Sequence, residues 1–530
     1  MARAGCWPTC CLCLWRLHSC DCSESRKPAK RSTCECIWIL FCFLVFVWTM
    51  IWLYVTQIVN NDMHNFNEFM FRSQGWWLDW SLVVVTVTAV LLTYCSLLLI
   101  LLLCLVLCSQ PLRLHWIHKV LLCLCAAAVS LGVVFLDVKW KEEWEAVAIS
   151  LQVTAPFLHI GAVIGVSILA WVLAAYYWGA NSRVFRNVLL AVYILVLCAL
   201  YVSPLFISSP CIMKAEQLPP KPRLFGHRGA PMLAPENTML SFYKMVESNV
   251  DVFESDVMVS HDGIPFLMHD NFLLRTTNIG QVFPGRERED SGNFTWSELR
   301  ELDAGEWFLQ RNPFRTGGSQ ALLSQQGRKI PSLSELLAAA ETLNISIIFD
   351  LRPPPPGHPY NETYLNVTLE TILKSPIRQE LVLWLPDEER DEVIALAPGF
   401  RQIYGRRRQE NDTFDAVNLS YKNISVSEIR SYIQNNITVN LYVVNYPWLY
   451  SHFWCAGVTS VTTNACHILQ DLARPLWVLD PKHYLLIWIV ADCISFLHVI
   501  WAFVIQRKCS RVKEEKDAEG VLLMKIQNLT

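Results

Sequence analysis

Apolar positions along the chain gather into a few long runs. Five lie in the first 210 residues, at about Ile37–Val59, Ser81–Cys104, Val120–Val138, Val153–Trp178 and Val188–Ile207, and a sixth covers Tyr484–Ile505. Each is near or above the ~20 residues that a helix needs to cross ~30 Å of hydrocarbon. Each is bounded by polar or charged residues, which argues for membrane spans rather than buried core helices. Between the fifth and sixth runs the pattern changes. Short apolar strands are predicted at Leu224–Gly226, Val252–Val259, Pro265–Met268, Ile345–Leu351, Leu381–Leu385, Arg401–Tyr404, Val439–Val444 and Ser460–Thr463. Helical stretches at Ser241–Ser248, Trp296–Leu302, Leu333–Leu343 and Ser425–Asn435 alternate with them. Such alternation predicts a parallel sheet. At this length a closed (β/α)8 barrel, with its site at the C-terminal ends of the strands, leads over an open doubly wound sheet.

The expected architecture is therefore six membrane helices plus a TIM-like α/β barrel. Its parts are a Cys-rich tail at 1–36, five spans within 37–209, a proline-rich linker at 210–223, a barrel at 224–475, a span at 484–505 and a tail at 506–530. Composition agrees: 53% hydrophobic and 17% charged residues fit a membrane protein better than a soluble one. The net charge of −3 gives no electrostatic reason to invoke nucleic acid. The first apolar run starts late and is too long for a cleaved signal, so it reads as a retained helix.

Charge sets the expected orientation. Arg16, Arg26, Lys27, Lys30 and Arg31 precede the first span. Arg113 with Lys119, Arg183 with Arg186, and Arg507 with Lys508 fall on the same side if there are six spans. That side is predicted to be cytosolic, which puts both termini in the cytosol and residues 211–482 outside. The outer segment carries N-x-S/T sequons at Asn293, Asn344, Asn361, Asn366, Asn411, Asn418, Asn423 and Asn436, in keeping with exposure to the glycosylating compartment. Asn344 reads as the start of a buried strand and is set apart from the other candidates. The chain's last residues, Gln527-Asn528-Leu529-Thr530, contain no retrieval signal, which favours the plasma membrane.

The 20 cysteines do not form one disulfide scaffold. Cys6, Cys10, Cys11, Cys13, Cys20, Cys22, Cys34 and Cys36 crowd a tail assigned to the reducing cytosol. Juxtamembrane cysteines beside basic residues point to palmitoylation ahead of zinc, because no paired C-x-x-C spacing recurs. Outside, only Cys211, Cys455 and Cys466 remain, enough for one bridge at most.

Four polar clusters interrupt the early strands: His227-Arg228-Gly229, Pro235-Glu236-Asn237-Thr238, Glu254 with Asp256, and His269-Asp270. Residues two apart on a strand share a face, so Glu254 and Asp256 sit together. Paired carboxylates in an apolar strand call for a cation, and hard oxygen ligands favour Mg²⁺ or Ca²⁺. An exposed acidic edge strand is the plain alternative. Two histidines suit a base and an acid, and an arginine suits phosphate. Gly229 is read as allowing close backbone approach to that phosphate.

Together these stretches, with Asp262-Gly263, Leu302-Asp303-Ala304-Gly305-Glu306-Trp307-Phe308 and Ile330-Pro331-Ser332-Leu333, closely resemble the glycerophosphodiester phosphodiesterase family, and its multi-pass membrane branch in particular. The resemblance covers about half the chain. It implies a TIM-like barrel with an insertion at Phe272–Lys329 and one divalent cation, Ca²⁺ or Mg²⁺, on Glu254 and Asp256 with His269 nearby. It implies His227 and His269 as the acid–base pair, Arg228 as a phosphate contact and Glu236 as a site carboxylate. Where the family places glutamate and lysine two apart, this chain has Asp350 and Arg352, expected to serve the metal and the phosphate respectively. Asn464 stands where the family often has aspartate, with an expected effect on loop structure more than on chemistry.

The reaction so implied is hydrolysis of a small glycerophosphodiester, with glycerophosphoinositol the leading substrate. One alternative is a barrel that binds or signals without turnover. Another is a channel or transporter carrying the barrel, for which only His159, Asp492 and His498 in the spans speak. The sequence points to a bilayer and a small-molecule substrate as partners, and to no particular protein.

Overall fold

The computed structural model describes residues 33–107, 114–179, 182–316, 328–408 and 415–527. Six helical segments in it are long and apolar enough to cross a membrane. The membrane part begins with α1 (Thr33–Val59), α2 (Met63–Gln74), α3 (Trp80–Leu107), α4 (Trp116–Lys139), α5 (Glu143–Gly179) and α6 (Arg183–Val202), and ends with the C-terminal helix Pro481–Gln527. Their outward residues, such as Leu97, Leu131 and Leu195, are exposed apolar side chains that lipid would cover. The chain is a multi-pass membrane protein. Of the lipidation candidates, Cys10, Cys11, Cys13, Cys20 and Cys22 lie outside the described residues, while Cys34 and Cys36 fall in the first turn of α1.

α2 is different in kind. It is short and carries both Phe66 and Met70 and the polar Asn67, Glu68 and Arg72. Gly75 ends it in the left-handed conformation (φ 79°), and its N–H returns to the Phe71 carbonyl at 2.7 Å. The sequence reading treated this stretch as a connection.

The soluble part is built on strands β1 (Arg223–His227), β2 (Val252–Val259), β3 (Pro265–Leu267), β4 (Ser346–Leu351), β5 (Val382–Trp384), β6 (Arg401–Gln402), β7 (Ala416–Ser420), β8 (Thr438–Tyr442) and β9 (Ser460–Thr463). Their order is β6-β5-β4-β2-β1-β9-β8-β7, and every pair on this path is parallel. A parallel bridge from Tyr404 to Val417 brings the chain after β6 against β7, so the sheet is a nearly closed eight-stranded TIM-type barrel. Two strands differ from expectation. β3 pairs antiparallel with β2 and stands off the barrel, and β7 takes the vacant place. β7 escaped the sequence reading because it is five residues long and turns the polar Asn418 inward.

Alternation along β2 and β4 sorts their side chains. Phe253, Val257, Ile347 and Phe349 pack outward into the large core beneath the helices. Val252 and Ile348 point inward and, with Phe225, Leu383 and Ile403, plug the barrel below the site. The insertion has its own small core around Phe266, Phe294 and Leu302. It meets α2 where Met63 packs with Trp307, Phe308 and Phe314.

The linker is fastened to the barrel by a disulfide between Cys211 and Cys455, leaving Cys466 free and buried. The glycosylation candidates divide. Asn361, Asn366, Asn423 and Asn436 are exposed, Asn293 is half-buried, and Asn411 lies outside the described residues. Asn418 is a correction: it is buried in the barrel interior, where its Oδ1 accepts from Asn440 Nδ2 at 2.7 Å, so the folded chain does not offer it. Asn344 is another. It is the exposed left-handed cap of the helix Leu333–Leu343, not part of a buried strand.

Candidate active site

The C-terminal ends of the strands open into a cavity of about 500 Å³. Parallel register sets its floor. β2 and β4 pair Glu254 with Ile348 and Asp256 with Asp350, so Glu254, Asp256 and Asp350 emerge on one inward face just above the apolar plug. Their nearest oxygens all lie within 4.8 Å of one another. Burial and the Asp256 and Asp350 carboxylates push Glu254 well above the usual carboxyl range. Burial and Asp256 likewise raise Asp350. Asp256 goes the other way: against its burial, His269, Arg228 and Arg352 hold it below the usual range. Three converging carboxyl groups, two of them destabilised as anions by their neighbours, form a donor set that fits one hard divalent cation.

Arg228 is the hinge of the site. Its backbone is left-handed (φ 55°), and its N–H donates to the Glu254 carbonyl at 2.9 Å and to Glu254 Oε2 at 3.0 Å. Its side chain is buried. Nη1 donates to Glu236 Oε1 at 2.8 Å, and Nε lies 3.3 Å from Asp256 Oδ2. Gly229 follows with φ 93°, where a Cβ would come 2.8 Å from Ser241 backbone atoms. One close approach that requires glycine here is to the helix Met239–Glu247.

His227 ends β1. Its Nδ1 lies 2.7 Å from Asn464 Oδ1 at the end of β9, which places the proton on Nδ1. Nε2 is left facing the carboxylates, 3.9 Å from Glu254. Burial and the Arg228 charge push His227 down to about 3, so the ring is neutral at physiological pH and able to accept a proton. Asn464 therefore does more than shape a loop, contrary to the sequence reading.

His269 was expected among the metal ligands. It lines the same cavity as Glu254, Asp256 and Asp350, and its Nδ1 groups with Glu68 and Asp270, 2.7 Å from Asp270 Oδ1 and 3.4 Å from Glu68 Oε1. The countercharge there is already present. Arg275 donates to Asp270 through Nε at 2.5 Å and Nη2 at 3.0 Å, and Arg72 lies 3.2 Å from the same carboxylate. This second acidic group is already neutralised by an ion-pair network. Glu236 was expected at the substrate. It lies buried behind Arg228, accepting also from Arg275 (2.6 and 3.0 Å) and meeting His64 Nε2 at 3.0 Å, and it does not line the cavity. Arg352 does line it, with Nη2 2.8 Å from both Asp256 and Asp350. Asn237, from the same motif as Glu236, donates to Asp256 Oδ2 at 2.9 Å.

Sequence reasoning missed the roles of Arg275, Lys422, Glu68 and Arg72. Arg275 lies in the insertion and Lys422 follows β7. Glu68 and Arg72 form an i, i+4 ion pair on α2, in a segment weighed only for its charge.

A cradle of carboxylates, two imidazoles and three arginines around one cavity at the mouth of a parallel barrel define a hydrolase of phosphoric diesters. The glycerophosphoryl diester phosphodiesterase family matches residues 227–371. Similarity to single relatives extends much further. Glycerophosphoinositol inositolphosphodiesterase GDPD2 of Homo sapiens is 48% identical over 529 residues, covering 98% of this chain and 97% of that one. Glycerophosphodiester phosphodiesterase domain-containing protein 5 of Gallus gallus is 42% identical over 508 residues, covering 94% and 85%. A phosphodiesterase of Oleispira antarctica of known structure is 22% identical with a TM-score of 0.39, covering 47% of this chain and 96% of that one. This chain belongs to the glycerophosphodiester phosphodiesterase family and is an enzyme of that class.

Proposed function

We propose that the protein hydrolyses glycerophosphoinositol with the help of one divalent cation, at the outer face of the plasma membrane. The convergence of Glu254, Asp256 and Asp350 beside His227, Arg228 and His269 carries this reading. The printed name of the human relative supports the inositol head group. The Cys211–Cys455 disulfide supports an oxidising compartment for the barrel, and hence cytosolic termini.

Glu254, Asp256 and Asp350 would hold the cation, which would supply charge neutralisation to the phosphate. Arg352, at the cavity wall, binds the phosphate and orients it. Arg228, fixed from behind by Glu236, sets the positive potential of the floor. His227 takes the proton of the attacking water at Nε2, while Asn464 holds its Nδ1–H. His269, held by Asp270, returns a proton to the leaving oxygen.

The test is turnover by the full-length protein in detergent. Glycerophosphoinositol, glycerophosphocholine and glycerophosphoethanolamine are compared in Ca²⁺ and in Mg²⁺, with products identified by mass spectrometry. Turnover of the inositol ester that chelation abolishes and either cation restores is expected. A folded, metal-loaded protein that cleaves none of the three would refute the proposal and favour a binding role.

A further inference from the structure

The catalytic cavity is not made by the barrel alone. Its outer wall is membrane-part chain: Asn65, Glu68, Phe69 and Arg72 from α2, and Trp140 and Glu142 from the connection between α4 and α5. Because α2 covers the mouth, its attachment decides whether it is a wall or a lid.

The attachment is polar at both ends, and buried at the N-terminal one. At the N-terminal end Asn61 is 3% exposed. Its Oδ1 accepts from the Asn445 and Tyr446 N–H groups at 3.0 and 3.2 Å, and its Nδ2 donates to the Val443 carbonyl at 3.2 Å. Lys422 of the barrel donates to Asp62 at 2.6 Å and also pairs with Glu143 at the start of α5. At the far end Asp79 takes a forked contact from Arg315 of the insertion, at 2.7 and 2.8 Å. In the first turn of α2 His64 reaches Glu236. Releasing the helix would strand several buried polar groups, each costly without a partner. α2 is a fixed wall.

Arg72 projects from this wall. Its side chain is 54% exposed and lines the cavity, yet its Nη2 is steered by Glu68, one turn back, and lies 3.2 Å from Asp270 Oδ1 and 3.5 Å from His269 Nδ1. It thus presents a guanidinium beside the imidazole assigned to the leaving oxygen, across the cavity floor from the carboxylate cradle. A planar set of donors at that place suits the clustered hydroxyls of a polyol head group or a phosphate oxygen near it, and offers nothing to a quaternary or primary ammonium. Neighbouring Asn65 adds a carboxamide to the same wall.

We infer that Arg72, on the helix between the first two spans, is a substrate-contacting residue that sets head-group preference in favour of the polyol ester. The inference rests on the phosphodiesterase reading above. The experiment uses full-length protein in detergent, with Arg72→Gln, Arg72→Lys and Asn65→Ala compared on the inositol, choline and ethanolamine esters of glycerophosphate. In Arg72→Gln the KM for the inositol ester should rise about tenfold, with a much smaller change in kcat, and preference over the other two esters should shrink. Arg72→Lys should recover part of the preference. If Arg72→Gln does not fold, as judged by its unfolding midpoint, Asn65→Ala should still shift KM in the same direction. Wild-type turnover with unchanged KM and preference in the folded variants would overturn the inference and leave the phosphodiesterase reading intact. Absence of turnover in the wild type would remove both.

Discussion

Glu236 is the group whose loss the structure prices most directly. It is buried, and its two oxygens accept from Arg228 at 2.8 Å, from Arg275 at 2.6 and 3.0 Å, and face His64 at 3.0 Å. The flanking arginines hold its carboxyl well below the usual range against the burial that would raise it. Glu236→Gln keeps the shape, removes the charge, and sets an amide NH₂ against two guanidinium groups. Breaking one partner of a buried ion pair costs about 3–5 kcal/mol. Asp270 still grips Arg275 through two contacts and Asp256 still faces Arg228, so the lower end, about 3 kcal/mol, is expected. For a unit of this size that lowers the unfolding midpoint by roughly 6–12 °C. The assay is thermal unfolding of full-length protein in one detergent, followed by tryptophan fluorescence, with chelator present so that cation binding does not contribute. A midpoint within about 2 °C of wild type would show that the network is not the brace described here.

Other outcomes follow from particular contacts. Glu254→Ala with Asp256→Ala should abolish cation-dependent turnover, and calorimetric titration with Ca²⁺ or Mg²⁺ should show no heat of binding; retained binding would move the cation elsewhere. Asn464→Ala frees the His227 tautomer, and loss of one hydrogen bond should cut kcat roughly 5–30-fold; an unchanged rate would sever Asn464 from catalysis. His452 is buried without a hydrogen-bond partner among the described residues, and burial lowers it from 6.5 to about 4. Its folded pKa lies below the unfolded one, so its share of stability is complete above pH 6.5 and is lost as pH falls towards 4, by about 3 kcal/mol in all. His452→Leu should therefore flatten the acid side of the midpoint-against-pH curve, and equal slopes in both proteins would contradict this. Cys455→Ser opens a closure spanning 244 residues and should cost about 2–5 kcal/mol, read as a lower unfolding midpoint that reductant reproduces in the wild type.

Much of this site was legible because strand periodicity is rigid. Val252–Val259 is a strand in the structure as in the sequence, and the two-residue spacing of Glu254 and Asp256 alone puts both on the inner face. Asp350 and Arg352 came from the family resemblance instead, and the register of β4 with β2 sets Asp350 beside Asp256. What stayed hidden depends on contacts far apart in the chain. Nothing near Glu236 announces that Arg275, 39 residues on, would bury it. Nothing near His227 announces Asn464, 237 residues on. α2 was invisible for a different reason. Beside five apolar runs, a twelve-residue helix of mixed polarity reads as a loop, and only the barrel's mouth gives its polar face something to meet. At Gly229 the need for glycine was legible, but Ser241, one neighbour that imposes it, was not.

Because α2 and the connection between α4 and α5 contribute to the same cavity as the strand ends, the reacting groups look towards the membrane part rather than away from it. A dissolved phosphodiester must then travel through the layer of water that lipid head groups charge. In a reconstituted bilayer whose facing leaflet is made anionic enough to reach about −30 mV, the value of a cytoplasmic leaflet, a monoanion is depleted there about threefold relative to bulk. Apparent affinity thus becomes a property of the surrounding lipid and of ionic strength as well as of the pocket, so the same polypeptide would answer differently to one substrate concentration in neutral and in anionic membranes.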